Sequence, residues 1–331
     1  MKARAVQFSA PRTVEVVSVE VPEPGPGQVL VRTEYSGISG GTELLAYRGE
    51  IDPDLPLDDT IGSLGGTFRF PFRYGYSAVG IVEKTRVDGI AEESRVFAFH
   101  PHQDAFVVGA ADLVMVSGED PRIATMLPLV ETALQVTLDA GPVFGEPVVV
   151  TGLGAVGILC GALLGGAGAA VTGSDPFAWR RDAAKSFGVH AVDPQDLAAA
   201  VDDASAGQGV PLVVEASGRP EVLNTTLPLL APEGTALVAS WYGTKPVPLD
   251  LGAEFHRRRL TIRSTQVSSI PSWQRARWDR RTRLHRARDL LSELPLASLA
   301  THEFAVDQAA EAYAALDRAD EGLIHVALRY R

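Results

Sequence analysis

Residues 148–157, Val-Val-Val-Thr-Gly-Leu-Gly-Ala-Val-Gly, constrain this chain more than any other segment. The β-branched run reads as a buried strand, and the small apolar residues of 156–168 read as a helix. Between them Gly152, Gly154 and Gly157 give the spacing G-x-G-x-x-G. Gly152 permits a tight turn out of the strand. Gly154 lets backbone approach a ligand, and Gly157 lets the helix pack close to the sheet. The N–H groups at the helix start, around Leu153, Ala155 and Val156, would then face a phosphate. A second strand is expected over 169–173. It ends in Asp175, 18 residues past Gly157. In that context the motif predicts dinucleotide binding. A carboxylate at 175 can accept both ribose hydroxyls of NAD and repel a 2′-phosphate. Arg180 would lie over the adenosine ribose; alternatively Arg180 and Arg181 accept a 2′-phosphate, which leaves NADP open.

Length, composition and charge narrow the class. A chain of 331 residues suggests two domains. The net charge of −11 disfavours nucleic acid as a partner. One basic cluster runs from Arg257–Arg259 through Arg275, Arg277, Arg280, Arg281 and Arg283, and reads as a solvated face, an anion site or a subunit contact. The single cysteine, Cys160, excludes an intrachain disulfide and a thiolate zinc cluster. The most apolar stretch, 147–171, is broken by glycines and fits strand and helix better than a membrane span. With no apolar run of signal-peptide length at the N-terminus, a cytoplasmic location is expected, without membrane association.

The texture changes along the chain. Residues 14–21, 29–35, 78–84 and 94–99 read as strands, and 49–75 as loop. Residues 123–140 have helical spacing. From 147 to 267 strand and helix alternate, which implies a parallel sheet covered on both faces. Residues 274–294 and 305–319 look helical, and 324–329 is a closing strand.

Beyond the glycine turn, residues 24–31 (Pro-Gly-Pro-Gly-Gln-Val-Leu-Val), 36–43 (Ser-Gly-Ile-Ser-Gly-Gly-Thr-Glu) and 75–80 (Gly-Tyr-Ser-Ala-Val-Gly) resemble the medium-chain dehydrogenase/reductase, or alcohol dehydrogenase, superfamily. The likeness covers nearly the whole chain, and is closer to a branch with an S-x-x-S-x-G-T-E loop and an L-P-x-x-E-T-A-L helix. That branch is similar to dehydrogenases of bacteriochlorophyll and natural-product pathways. The resemblance implies an α/β fold with a GroES-like β-rich catalytic domain (1–118 and 268–331) and a Rossmann doubly wound parallel sheet (119–267). It also implies cofactor contacts from Ser217, Ser240, Trp241 and Gln266, and a homodimer paired through the strand at 260–267.

The departures from that family bear on the chemistry. Its zinc-dependent members carry a cysteine where this chain has Ser39 or Gly40, and a histidine where it has Tyr76. A hydroxyl and a phenol do not make a zinc site at neutral pH, so no zinc is expected through the usual ligands. Hydride transfer then needs another proton-exchanging group. His100 and His102 alternate and would share a face if extended, or else are satisfied by backbone. Glu43 and Tyr76 are further candidates, each with a structural alternative. A non-standard metal site from His100, His102, Glu43 and Glu131 is a minor possibility. Aromatic residues 68, 70, 72, 74 and 76 are expected to shape a substrate pocket, or to mark one face of an edge strand.

The leading expectation is a zinc-independent NAD(H)-dependent oxidoreductase of a secondary alcohol or ketone, with a sugar, cyclitol or biosynthetic intermediate as small-molecule substrate. A quinone or enoyl double-bond reductase and a non-catalytic nucleotide sensor are the alternatives.

Overall fold

A computed structural model describes residues 1–116 and 118–330. The chain opens with strands β1 (Lys2–Ala10), β2 (Thr13–Glu20) and β3 (Gln28–Ile38), then helix α1 (Thr42–Arg48). Strands β4 (Ala78–Thr85), β5 (Arg95–Ala98), β6 (Ala105–Gly109) and β7 (Leu113–Met115) lead to a short α2 (Pro121–Ala124) and to α3 (Leu127–Ala140). Alternation follows: β8 (Pro147–Thr151), α4 (Ala155–Gly166), β9 (Ala170–Ser174), α5 (Ala178–Lys185), β10 (His190–Val192), α6 (Leu197–Ser205) and β11 (Val210–Glu215). It continues through α7 (Pro220–Thr226), β12 (Leu230–Val238) and β13 (Thr261–Ser264). The last elements are α8 (Arg280–Glu293), β14 (His302–Ala305), α9 (Ala309–Arg318) and β15 (Val326–Arg329).

These elements form two compact units, Met1–Pro128 with Arg288–Arg331, and Leu129–Ala287. In the first, a mostly antiparallel sheet runs β14-β15-β3-β4-β5-β7, with β6 also on β3. The C-terminal β15 pairs antiparallel with β3, so both chain ends build one sheet. In the second, a parallel sheet has the order β10-β9-β8-β11-β12-β13. The order is doubly wound: successive strands step outward in one direction from β8 and in the other from β11. The Val148–Val150 run of β8 is buried, as a central parallel strand requires. Cys160 has no exposed surface, and burial pushes its thiol up to about 12, so it is an inert core residue.

The unit boundaries at 128 and 287 lie beyond those expected at 118 and 267. One buried side chain accounts for the later return. Arg283 is 1% exposed, donating to Glu131 Oε1 at 2.9 and 3.1 Å, to Gln135, and to the Val267 carbonyl at 2.5 Å. It ties the segment after β13 to α3, and it leaves the basic cluster that the sequence grouped as one feature. Arg258 and Arg259 are also paired, with Glu254 and Glu233. Other differences are local. The expected helix over 123–140 is two helices. That over 274–294 begins only at Arg280, where Asp279 accepts the Thr282 N–H at 2.7 Å.

Arg283→Ala would strand Glu131 as an uncompensated buried charge. A loss of about 3–5 kcal/mol is expected in urea unfolding. A change below about 1 kcal/mol would mean the pair is not desolvated as described.

Candidate active site

The glycine turn forms as its spacing requires. Gly152 has φ +86°, and a Cβ there would lie 2.5 Å from Ser217 Cα. A Cβ on Gly157 would lie 1.8 Å from the Gly152 carbonyl oxygen. Only glycine fits at either position. Around Gly154 a Cβ meets nothing within 4 Å, and α4 starts there without a side-chain cap. The first N–H groups of the helix, at Ala155 and Val156, therefore open onto space. Two buried polar atoms beside this turn have no hydrogen-bond partner, Thr151 Oγ1 and Arg180 Nε. An open cradle of N–H groups with unpaired polar atoms around it fits a pyrophosphate-bearing dinucleotide.

Asp175 is 2% exposed. Its Oδ2 accepts the Leu153 N–H and its Oδ1 the Phe177 N–H, both at 2.9 Å. The carboxylate thus braces the glycine turn, a role not read from the sequence, and its Oδ2 also accepts from Arg180 at 3.5 Å. Arg180 lies 3.5 Å from Asp175 and stacks over Phe177 and Trp179, 5.1 and 4.9 Å from the ring centroids. Arg181 donates to the Asp175 carbonyl and pairs with Asp193. Ser217 and Ser240 meet through the Gly218 N–H, which donates to Ser240 Oγ at 2.8 Å. Trp241 is 42% exposed, and Gln266, exposed just past β13, accepts the Ser268 N–H.

In the first unit the structure brings Glu43, His102, Ser39 and Tyr76 together. Glu43 and His102 have no exposed surface. Glu43 Oε1 accepts the Ser39 N–H at 2.8 Å. Its Oε2 lies 2.8 Å from His102 Nε2 and accepts the Tyr313 hydroxyl. His102 Nδ1 is 2.6 Å from Ser36 Oγ, itself 2.8 Å from the Tyr330 hydroxyl. With Glu43 ionised and His102 neutral, one direction satisfies the whole chain. Tyr330 donates to Ser36, Ser36 to His102, and His102 to Glu43. Burial, then the Glu43 charge, raises Tyr313 well above the ordinary phenol range. Tyr76 is half-buried, and its hydroxyl interacts with the side chains of Ser39 and Thr42. Burial and the Glu43 charge push it up to about 12, so it is a neutral phenol at physiological pH. Tyr313, Ser36 and Tyr330 were missed in the sequence. They lie far from Glu43 and His102 along the chain, and no motif joins them.

His100 is not part of this group. Residues 99–101 belong to no strand, and the two imidazoles have separate surroundings. His100 stacks on Phe106 with centroids 4.0 Å apart, and its Nδ1 donates to the Pro101 carbonyl at 2.9 Å. The carbonyl can only accept, so Nε2 carries no proton in the neutral ring. Glu131 is held by Arg283, and among the described residues no three His, Cys, Asp or Glu side chains converge as a metal site.

The aromatic residues also differ from expectation. Phe68, Phe72 and Tyr74 are buried in the core, packed on one another and on Phe8. Of these, Phe72 also borders a cavity of about 350 Å³, with Ser63, Gly65, Gly66, Thr67, Arg69, Pro71, Arg73, His100 and Gln103.

The profile of a family described as zinc-binding dehydrogenase matches residues 155–280. A bacteriochlorophyllide dehydrogenase of Cereibacter sphaeroides (2-desacetyl-2-hydroxyethyl bacteriochlorophyllide A dehydrogenase) is 27% identical, over 95% of this chain and 94% of that one. D-guloside 3-dehydrogenase of Escherichia coli is 27% identical, over 82% and 83% of the two chains. Among solved structures, an alcohol dehydrogenase of Escherichia coli CFT073 complexed with NADH superposes with a TM-score of 0.77. It is 18% identical, over 99% of each chain. Fold, glycine cradle and relatives together define an NAD(P)-dependent oxidoreductase. The chain is similar to members of the medium-chain dehydrogenase/reductase, or alcohol dehydrogenase, superfamily.

Two buried histidines make stability depend on pH. Burial holds both His100 and His325 down at about 4, against an ordinary value of 6.5. The unfolded chain takes up both protons near pH 6.5, and the folded chain only near 4. Stability is therefore complete above pH 6.5 and is lost as pH falls toward 4, by roughly 3 kcal/mol per histidine. Urea midpoints measured from pH 7 to 4.5 should fall steeply. His100→Asn should flatten that fall by about half; an unaltered slope would remove His100 as a cause.

Proposed function

We propose that this protein is a zinc-independent, NAD(H)-dependent dehydrogenase that interconverts a secondary alcohol and a ketone on a polyhydroxylated substrate. The observation that carries this reading is the phenol of Tyr76 set against the hydroxyls of Ser39 and Thr42, with the Glu43 carboxylate behind them. By the family resemblance, Ser39 or Gly40 corresponds to the cysteine and Tyr76 to the histidine of the zinc-dependent members. A neutral phenol and an alcohol are poor zinc donors but can exchange a proton.

The bound nicotinamide supplies the hydride acceptor or donor. In the reducing direction Tyr76, protonated up to about 12, donates to the carbonyl oxygen and draws its replacement proton through Ser39 or Thr42. Glu43 holds Ser39 in place and favours the protonated phenol. His102, which has no exposed surface, orients Glu43 and does not touch substrate. His100 lines the cavity together with Ser63, Thr67 and Gln103. Such a lining suits a sugar or cyclitol better than a long apolar chain. A relative named as a D-guloside 3-dehydrogenase is consistent with that class.

The carboxylate of Asp175 beside the glycine turn favours NAD over NADP, because a 2′-phosphate there would meet a like charge. The edge position of β13 supports a homodimer paired strand to strand. No helix of the described residues is long and apolar enough to cross a membrane, and a cytoplasmic location is proposed.

Chelator-treated protein should retain full activity with less than about a tenth of a metal per chain, because no step uses one. Tyr76→Phe should lower kcat by roughly 10²–10⁴ with the NADH affinity unchanged. Ketone reduction should be flat across neutral pH and alcohol oxidation should rise toward pH 12. Activity that tracks bound zinc, or survives Tyr76→Phe, would reject the mechanism. Sedimentation should give twice 35.2 kDa; a monomer would reject the edge pairing.

A further inference from the structure

The two loops that follow β11 and β12 are joined by a carboxylate that the glycine motif does not involve. Glu215 ends β11 and has no exposed surface. Its register partner on β8 is Thr151, the residue before Gly152. This is the switch point of the sheet, where the winding reverses and a dinucleotide lies across the strand ends. Glu215 Oε1 accepts the Ser217 N–H at 2.8 Å and also the Ser217 hydroxyl. Its Oε2 accepts the Tyr242 hydroxyl at 2.5 Å. The Glu215 carbonyl takes the N–H groups of Ala239 and Ser240, at 2.8 and 3.2 Å. A buried carboxylate is tolerable only with such donors, so the loops cannot separate without stranding it.

These contacts have two consequences. Ser217 is fixed against the glycine turn, its Cα 2.5 Å from where a Gly152 Cβ would stand. Trp241 is anchored on both sides, by Ser240 through Gly218 and by Tyr242 through Glu215, and projects 42% exposed. The adenosine half of a doubly wound site belongs to β8 to β10, and the other half to β11 to β13. The clasp lies wholly on the second half.

We propose that Glu215 and Tyr242 are positioning residues for the nicotinamide half of the cofactor, holding Ser217, Ser240 and Trp241 as its seat. This rests on the dinucleotide reading. It does not depend on the proposed substrate or on Tyr76.

The test compares two ligands, NADH and ADP-ribose, which lacks the nicotinamide. Both are titrated by calorimetry against the wild type, Tyr242→Phe and Glu215→Gln. Tyr242→Phe keeps the ring and removes only the donor, so it guards against a folding failure in Glu215→Gln. The expected result is an NADH affinity about 10- to 100-fold weaker in each folded variant, with ADP-ribose changed less than about twofold. Equal weakening of both ligands would make the clasp a structural brace only, and unchanged NADH affinity would likewise overturn the proposal. Wild-type protein that binds neither ligand would overturn the dinucleotide reading beneath it.

Discussion

A carboxylate with no contact to water must gather donors, and the loops of this protein are arranged around four that do. Removing an ionised group from solvent costs several kcal/mol unless hydrogen bonds replace its hydration. Glu43 takes a main-chain N–H, an imidazole and a phenol. Glu215 takes a main-chain N–H, a serine and a phenol. Asp175 takes two main-chain N–H groups, and Glu131 takes Arg283. Each pins a loop or segment that its neighbouring strand or helix leaves free. Three of the four lie where regular structure ends or begins: at the start of α1, at the end of β11 and just past β9.

The same device serves two different chemistries. In the second unit the donors are drawn from the glycine turn and from the loops beside it. Their effect is geometric: N–H groups, glycine backbone and an exposed indole are held in fixed relation. In the first unit the charge of Glu43 also acts on a neighbour, keeping Tyr76 protonated over the whole physiological range. A phenol held as an acid is suited to giving a proton to a carbonyl, and less suited to taking one from an alcohol.

How much of this was legible depended on sequence distance. The glycine turn, its flanking strand and helix and the following acid lie within 28 residues, and their periods and turn chemistry are local properties. The alternating strands and helices after residue 147 were legible for the same reason. Short strands such as β10 and β14, and the brief helix α1, carried too few residues for a period to register. The partners of Glu43 and Glu215 could not be read. Tyr313 lies 270 residues from Glu43, and Tyr242 lies 27 from Glu215 in an irregular loop. Pairing at such distance leaves no trace in a single sequence. The two histidines at 100 and 102 show the opposite error. Alternation was visible, but the residues around Pro101 belong to no strand, and one ring stacks on Phe106 while the other joins Glu43.

The segment 63–73 serves two surroundings at once. Phe68 and Phe72 pack in the core, while Ser63, Thr67, Arg69 and Arg73 border the cavity, which Phe72 also touches. Replacements at the four polar positions would alter what the cavity admits without removing aromatic packing from the interior. The ligand preference of such a cavity could thus be retuned in single steps, each nearly neutral for folding, while the buried carboxylates and their donors stayed fixed.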